Sequence, residues 1–207
     1  GELEPLRAVE VMSKASGEVI ETLVDIGDEV QTGTLLAQID PRDVQNDFNQ
    51  AEADHEVAME RLAIAESQLQ RSQRLLESGV ITAQEHEGRD LEFANARANL
   101  VRAETSLELS RLRLADVTIR SPLSGTVLAK TVEEGQVISS PSGNVSGGTA
   151  LMTIADLSVM QVRTLVAESD VGRIEAGMPA TVNVDAFQDR TFQGTVEKIE
   201  PQAVVEV

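Results

Sequence analysis

The spacing of apolar residues changes character twice along the chain. Over residues 17–40, short aliphatic runs alternate with polar positions and are punctuated by glycine: Gly17-Glu18-Val19-Ile20, Gly27-Asp28-Glu29-Val30 and Gly33-Thr34-Leu35-Leu36, closing on Ile39-Asp40. That pattern predicts short strands joined by glycine turns. From Val44 onward the apolar spacing becomes a strict alternation of four and three. Val44, Phe48, Ala51, His55, Ala58, Leu62, Ala65, Leu69, Ser72 and Leu76 fall on it. This is a heptad seam alternating large and small side chains, the pattern of one helix packed along another.

The ends of the helical stretch are marked by local chemistry. Asp40-Pro41-Arg42-Asp43 offers an N-cap oxygen, a proline suited to the first helical position and an acid in the first turn. Ser78-Gly79 is placed to stop the helix, glycine being suited to a left-handed cap residue. Thr82-Ala83-Gln84-Glu85 then has the order of a capping box, with Ile81 ahead of it as a staple, so a second helix starts almost at once. Its seam is Phe93, Ala96, Leu100, Ala103, Leu107, Ser110, Leu114 and Val117. So short a turn forces an antiparallel pair, and helices of roughly 35 residues reach about 50 Å at 1.5 Å per residue.

Beyond the second helix the glycine-punctuated pattern returns. Gly125-Thr126-Val127-Leu128, Gly135-Gln136-Val137-Ile138 and Gly148-Thr149-Ala150-Leu151, closing on Ile154-Ala155-Asp156, repeat the first motif element by element. Neither copy has enough apolar residues for a core of its own. The two halves are therefore expected to close together as one flattened β-sandwich, split by the hairpin inserted between them.

Composition narrows the function classes. The 207 residues suit one or two compact domains or an extended multi-domain rod. A formal net charge of −18 argues against nucleic acid or anionic lipid as the main partner and fits an acidic, solubilising surface. With no cysteine, disulfides and thiolate chemistry are excluded. No apolar run is long enough to span a bilayer and no export leader is visible. A chain opening on Gly1 rather than Met is expected to be a trimmed piece of a longer protein. Four Phe and no Tyr or Trp disfavour recognition of bases or sugars by stacking.

Catalytic and metal chemistry find little footing. His55 lies on the first seam and His86 follows the capping box; they are the only histidines, and no HExxH motif or His cluster accompanies them. Glu52, Asp54 and Glu56 fall on outward helical faces, as a solvated surface does. The stretch 143–148 is glycine-rich but lacks the Lys-Ser/Thr of a phosphate loop, so it is expected to be a loop between strands. No catalytic residue, cofactor site or metal site is expected.

Ile39-Asp40-Pro41 entering the hairpin, and Thr118-Ile119-Arg120-Ser121-Pro122-Leu123-Ser124-Gly125-Thr126-Val127 leaving it, resemble the HlyD-type membrane fusion proteins, or periplasmic adaptors. The resemblance covers essentially the whole chain. It implies a mixed α and β, elongated multi-domain fold: a split lipoyl-like β-sandwich interrupted by a long antiparallel α-helical hairpin and followed by part of a β-barrel domain. Residues 1–8 would be a barrel or N-terminal strand remnant and 9–40 the first lipoyl-like half. The hairpin would take 41–117, its tip at about 75–82, with 118–156 the second half and 157–207 the partial barrel. Within the barrel, strands are expected over 159–163, 180–185 and 194–199, with a short helical stretch over 168–174.

The family's function is implied in the same way. Such adaptors form rings, usually hexamers, that link an inner-membrane pump to an outer-membrane channel across the periplasm. They are anchored to the inner membrane and carry no catalytic activity. The hairpin tip docks on the channel through an arginine, a leucine four residues on and a serine seven residues after that. Arg71, Leu75 and Thr82 occupy those positions here, with threonine keeping the hydroxyl and adding a methyl group. Both ATP-driven (macrolide-exporter or ABC) and proton-driven resistance-nodulation-division (RND) pumps use adaptors of this kind. The long connection 139–149 followed by Leu151-Met152-Thr153-Ile154-Ala155-Asp156-Leu157 is closer to the former.

Two other functions compete. A lipoyl or biotin carrier needs a lysine at a β-turn between the halves, where this chain has the hairpin; Lys14, Lys130 and Lys198 are its only lysines, and none lies in a Met-Lys-Met sequence. A coiled-coil scaffold without a transport role explains the heptads but not the repeated glycine motif.

Overall fold

The computed structural model describes residues 1–140, 148–184 and 191–200. The expected loop over 143–147 and the end of the strand expected over 180–185 lie outside the described residues. The chain forms two compact units, Pro5–Met160 and a second comprising Gly1–Glu4 with Gln161–Val207.

The larger unit carries two four-stranded sheets. The chain before the hairpin, which holds the first motif copy, supplies β1 (Glu2–Met12), β2 (Gly17–Thr22), β3 (Glu29–Val30) and β4 (Leu35–Ile39). The chain after it, which holds the second, supplies β5 (Thr118–Arg120), β6 (Gly125–Lys130), β7 (Val137–Ile138) and β8 (Ala150–Arg163). One sheet runs β1-β8-β6-β3 and the other β5-β4-β2-β7. Exchange every strand for its counterpart in the other copy and one order becomes the other. The duplication is thus a pseudo-two-fold axis, and each sheet is built from both copies.

The symmetry extends to single hydrogen bonds. Gly27 N–H donates to the Val127 carbonyl at 2.9 Å, and its counterpart Gly135 N–H to the Val19 carbonyl at 2.8 Å. Val30 pairs with Gly125 as Ile138 pairs with Gly17. Ser13 and Ser121, both buried, each turn their hydroxyl onto the carbonyl two residues on, at 2.5 Å. Between the sheets the core also comes in matched pairs: Val19 with Val127, Leu36 with Leu151, Ile39 with Ile154, all at most 1% exposed. Fully burying such a side chain is worth about 1.5–3 kcal/mol, so neither copy can hold its strands without the other's apolar face. The glycine opening the second copy is set by close approach, because a Cβ on Gly125 would run into the Ala155 carbonyl.

Between β4 and β5 lie α1 (Arg42–Glu77) and α2 (Ala83–Asp116). Ser72 meets His86 and His55 faces Glu104, contacts that fix an antiparallel register. Stepping one heptad back along α1 and one forward along α2 from Ser72 and His86 brings Ala65 opposite Phe93, then Ala58 opposite Leu100, then Ala51 opposite Leu107. Small faces large in every such layer, which fills the seam without voids. The seam positions named from the sequence are buried or half-buried, while Glu52, Asp54 and Glu56 are exposed. Val44 and Leu114, at the base of the pair, pack on the β-core and tie the arm to it.

Local details depart from the sequence expectation in three places. Helical hydrogen bonding starts at the Pro41 carbonyl, which accepts from Gln45 N–H at 2.7 Å, so Pro41 is itself the N-cap and no side chain caps it. The Asp40 carboxylate instead accepts from Arg42 N–H at 3.0 Å and clamps the Arg42 guanidinium. Those bonds, led by the one from the guanidinium, hold its carboxyl below the usual range. The strand expected over 159–163 is the end of β8, a single strand that begins in the sandwich.

The smaller unit contains α3 (Glu168–Val171) and an antiparallel hairpin of β9 (Pro179–Asn183) with β10 (Thr191–Thr195). The last expected strand therefore lies earlier than 194–199. Its pairing runs from Asn183 to Pro179, and past the proline Val196 N–H still donates to the Met178 carbonyl at 2.8 Å and Gly177 N–H to the Val196 carbonyl at 2.7 Å.

Because Ile39 N–H donates to the Val117 carbonyl at 2.9 Å, the two ends of the arm are already neighbours across β4 and β5. Replacing residues 40–116 by an Asn-Gly turn should therefore leave the sandwich folded, since that dipeptide closes a two-residue hairpin. Retained β-type circular dichroism and a cooperative melt are expected. A molten or aggregated product would show that the arm is needed for the two halves to meet.

Candidate docking surface at the hairpin tip

The turn between α1 and α2 is tightly specified. Val80 N–H donates to the Leu75 carbonyl and Gly79 N–H to the Leu76 carbonyl, both at 2.9 Å, which is a Schellman motif. It requires a left-handed residue, and Gly79 supplies φ +72°. Two residues on, Thr82 caps α2. Its hydroxyl accepts from Glu85 N–H at 3.3 Å, and Glu85 Oε2 accepts from Thr82 N–H at 2.8 Å and from the Thr82 hydroxyl at 2.9 Å. The capping box expected from the sequence is thus complete. Thr82's backbone N–H, then its hydroxyl, hold the Glu85 carboxyl below the usual glutamate range.

Arg71 and Leu75 lie one helical turn apart on α1, and Thr82 lies across the turn from them. Arg71 is exposed, and among the described residues its guanidinium has neither an ion-pair nor a hydrogen-bond partner. Its neighbour Arg74, by contrast, bonds back to the Gln70 carbonyl. Leu75 is half-buried and Thr82 exposed. Val80, which the sequence did not single out, is 69% exposed at the head of the turn. Its place two residues before the cap, after a Ser-Gly stop, was the available signal.

His86 was also missed as a seam residue, although stepping back one heptad from Phe93 lands on it. It is half-buried, with Nδ1 2.9 Å from the Ser72 hydroxyl. The same hydroxyl lies 2.8 Å from the Leu69 carbonyl. A single polar layer of this kind near the tip fixes register, because sliding either helix leaves a half-buried donor unpaired. His86 also holds the fourth helical position of α2, where a hydrophobic staple from Ile81 calls for an apolar side chain.

Among the described residues no group of three or more His, Asp or Glu side chains is placed to hold a metal ion, and no helix is long and apolar enough to cross a membrane.

Residues 7–146 match the family model described as the RND MFP barrel-sandwich hybrid domain, and residues 162–206 the CusB-like beta-barrel domain. The macrolide export protein MacA of Yersinia pestis is 31% identical over a stretch covering 97% of this chain and 57% of that protein. The pyoverdine export membrane fusion protein PvdR of Pseudomonas aeruginosa is also 31% identical, over 97% of this chain and 54% of its own length. The chain thus spans about half the length of these curated relatives. The crystal structure of MacA from Actinobacillus actinomycetemcomitans superposes with a TM-score of 0.75 at 25% identity, covering 98% of this chain and 65% of that one. With a two-fold split sandwich, an inserted helical hairpin and a family model spanning both, the chain belongs to the membrane fusion proteins of export and efflux systems.

Proposed function

We propose that this chain is the central part of a periplasmic adaptor. It links an inner-membrane pump to an outer-membrane channel for export of small molecules, and it has no catalytic role. The hairpin tip, through Arg71, Leu75 and Thr82, docks on the channel. In the longer protein an anchor holds the assembly to the inner membrane. The relatives' names speak of macrolide export and pyoverdine export, which supports a small-molecule cargo. Pumps of the ABC and RND classes both fit, the macrolide-type likeness favouring the former.

The observation that carries this proposal is the arm's position. It leaves the sandwich at the β4 to β5 connection, where a carrier domain would present its lysine, and it ends in an ordered, exposed turn. Lys130 is no swinging attachment point either, since it sits 3.5 Å from Asp25 with 13% of its side chain exposed.

A ring of copies is supported by a second apolar stripe on α2. Leu91, Ala94, Ala98, Val101 and Thr105 keep the four-three spacing on the face away from α1, and after Glu108 interrupts it Leu112 resumes it, all exposed. On α1, Val57 and Ile64 are exposed one heptad apart. The inner seam is satisfied within the hairpin, so these faces suit neighbouring hairpins of a closed ring. The full-length protein with residues 40–116 replaced by Asn-Gly should accumulate folded yet fail to restore export in a deletion strain. Restored export would refute an arm-dependent adaptor.

A further inference from the structure

Resting on that proposal, we infer that Glu85 is a positioning residue for channel docking, and that Thr82 acts through the cap it shares with Glu85 rather than by donating a hydrogen bond to the channel. A threonine hydroxyl has one proton to give. Here that proton goes to Glu85 Oε2 at 2.9 Å, and the oxygen also accepts from Glu85 N–H at 3.3 Å. The donor that a docking hydroxyl would offer is therefore spent inside the tip.

What the tip presents outward is different. Glu85 Oε1 has no partner among the described residues, Val80 is 69% exposed and Arg71 is unpaired. The channel surface that fits this end carries an apolar recess for Val80 and an acceptor for Arg71. The cap and the Schellman turn meet at Ile81 and leave little freedom in between. Glu85 thereby sets where Val80 sits relative to Arg71 and Leu75.

The test uses the full-length protein in a strain lacking the chromosomal copy, scored by tolerance to the toxic compound that the deletion sensitises. Thr82→Ser and Glu85→Gln preserve a capping box and should keep tolerance within about twofold. Thr82→Val, Glu85→Ala and the double variant should each lose about fivefold, the double being no worse than either single, because both remove one cap. Far-ultraviolet circular dichroism should be the same for all five variants. Loss with Thr82→Val but not with Glu85→Ala would overturn the inference and return the hydroxyl to the channel contact. Loss with Glu85→Gln would overturn it by showing that the charge matters, not the cap. Arg71→Glu combined with Leu75→Asp separates the two levels: full tolerance in that variant refutes tip docking itself, whatever the cap variants do.

Discussion

Charge reversal at Arg71 combined with Leu75→Asp should abolish export while leaving the hairpin helical. Arg71 is exposed and off the seam, so its reversal removes no packing within the arm. Leu75 is half-buried at the tip, one turn from Arg71. An aspartate there adds a second negative charge to a chain already at −18 and removes the apolar knob. Two such losses in the proposed contact, repeated in each copy of the proposed ring, should exceed what a docked complex can absorb, since few interface residues carry most of the binding energy. Full-length protein should accumulate normally and show unchanged helical circular dichroism, yet fail to complement. Retained complementation would show that the tip assignment is wrong.

Leu36→Ala should destabilise the sandwich by about 2–5 kcal/mol, the cost of opening a cavity where a leucine is fully buried. More telling is where the loss is felt. β4 lies in a sheet with β5 and β7 from the other copy, and β3 pairs with β6, so a defect in one copy propagates to both. Hydrogen exchange should show β2 and β4 losing protection together with β6 and β8. Loss confined to the first copy's strands would mean that the halves fold independently, contrary to their interleaved pairing.

The parts of this fold most legible in the sequence were those whose signal is periodic and local. The two seams could be read because a heptad pattern needs no long-range information, and the buried positions fall where that pattern places them. Glycine spacing likewise revealed the duplication. What it could not reveal was the exchange of partners, β3 with β6 and β2 with β7, because strand pairing across roughly 100 residues leaves no local mark. Asp40 was legible in part: its Oδ1 accepts from Arg42 N–H at the helix start, but helical bonding begins one residue later, at the Pro41 carbonyl, and the Arg42 guanidinium shares the carboxylate. Arg71 is the opposite case. Periodicity gives it only an outward position on α1, and its place in docking came from resemblance and spacing relative to Leu75 and Thr82. Glu85 was legible as the end of the capping box, but only the turn's hydrogen bonds show that its Oε2 takes the Thr82 hydroxyl and that Val80 stands exposed beside it.

The central claim is that this tip, and not the base of the arm, meets the outer-membrane channel. None of these 207 residues is cysteine, and with any reactive cysteine elsewhere in the full-length protein replaced by serine a direct measurement becomes available. A single cysteine at Val80, or for comparison at exposed Asp47 near the base, can be placed in the full-length protein and treated in living cells with a short thiol-to-amine cross-linker. An adduct containing an outer-membrane channel protein from Val80→Cys and none from Asp47→Cys is the predicted result. An adduct from the base and none from the tip would contradict it.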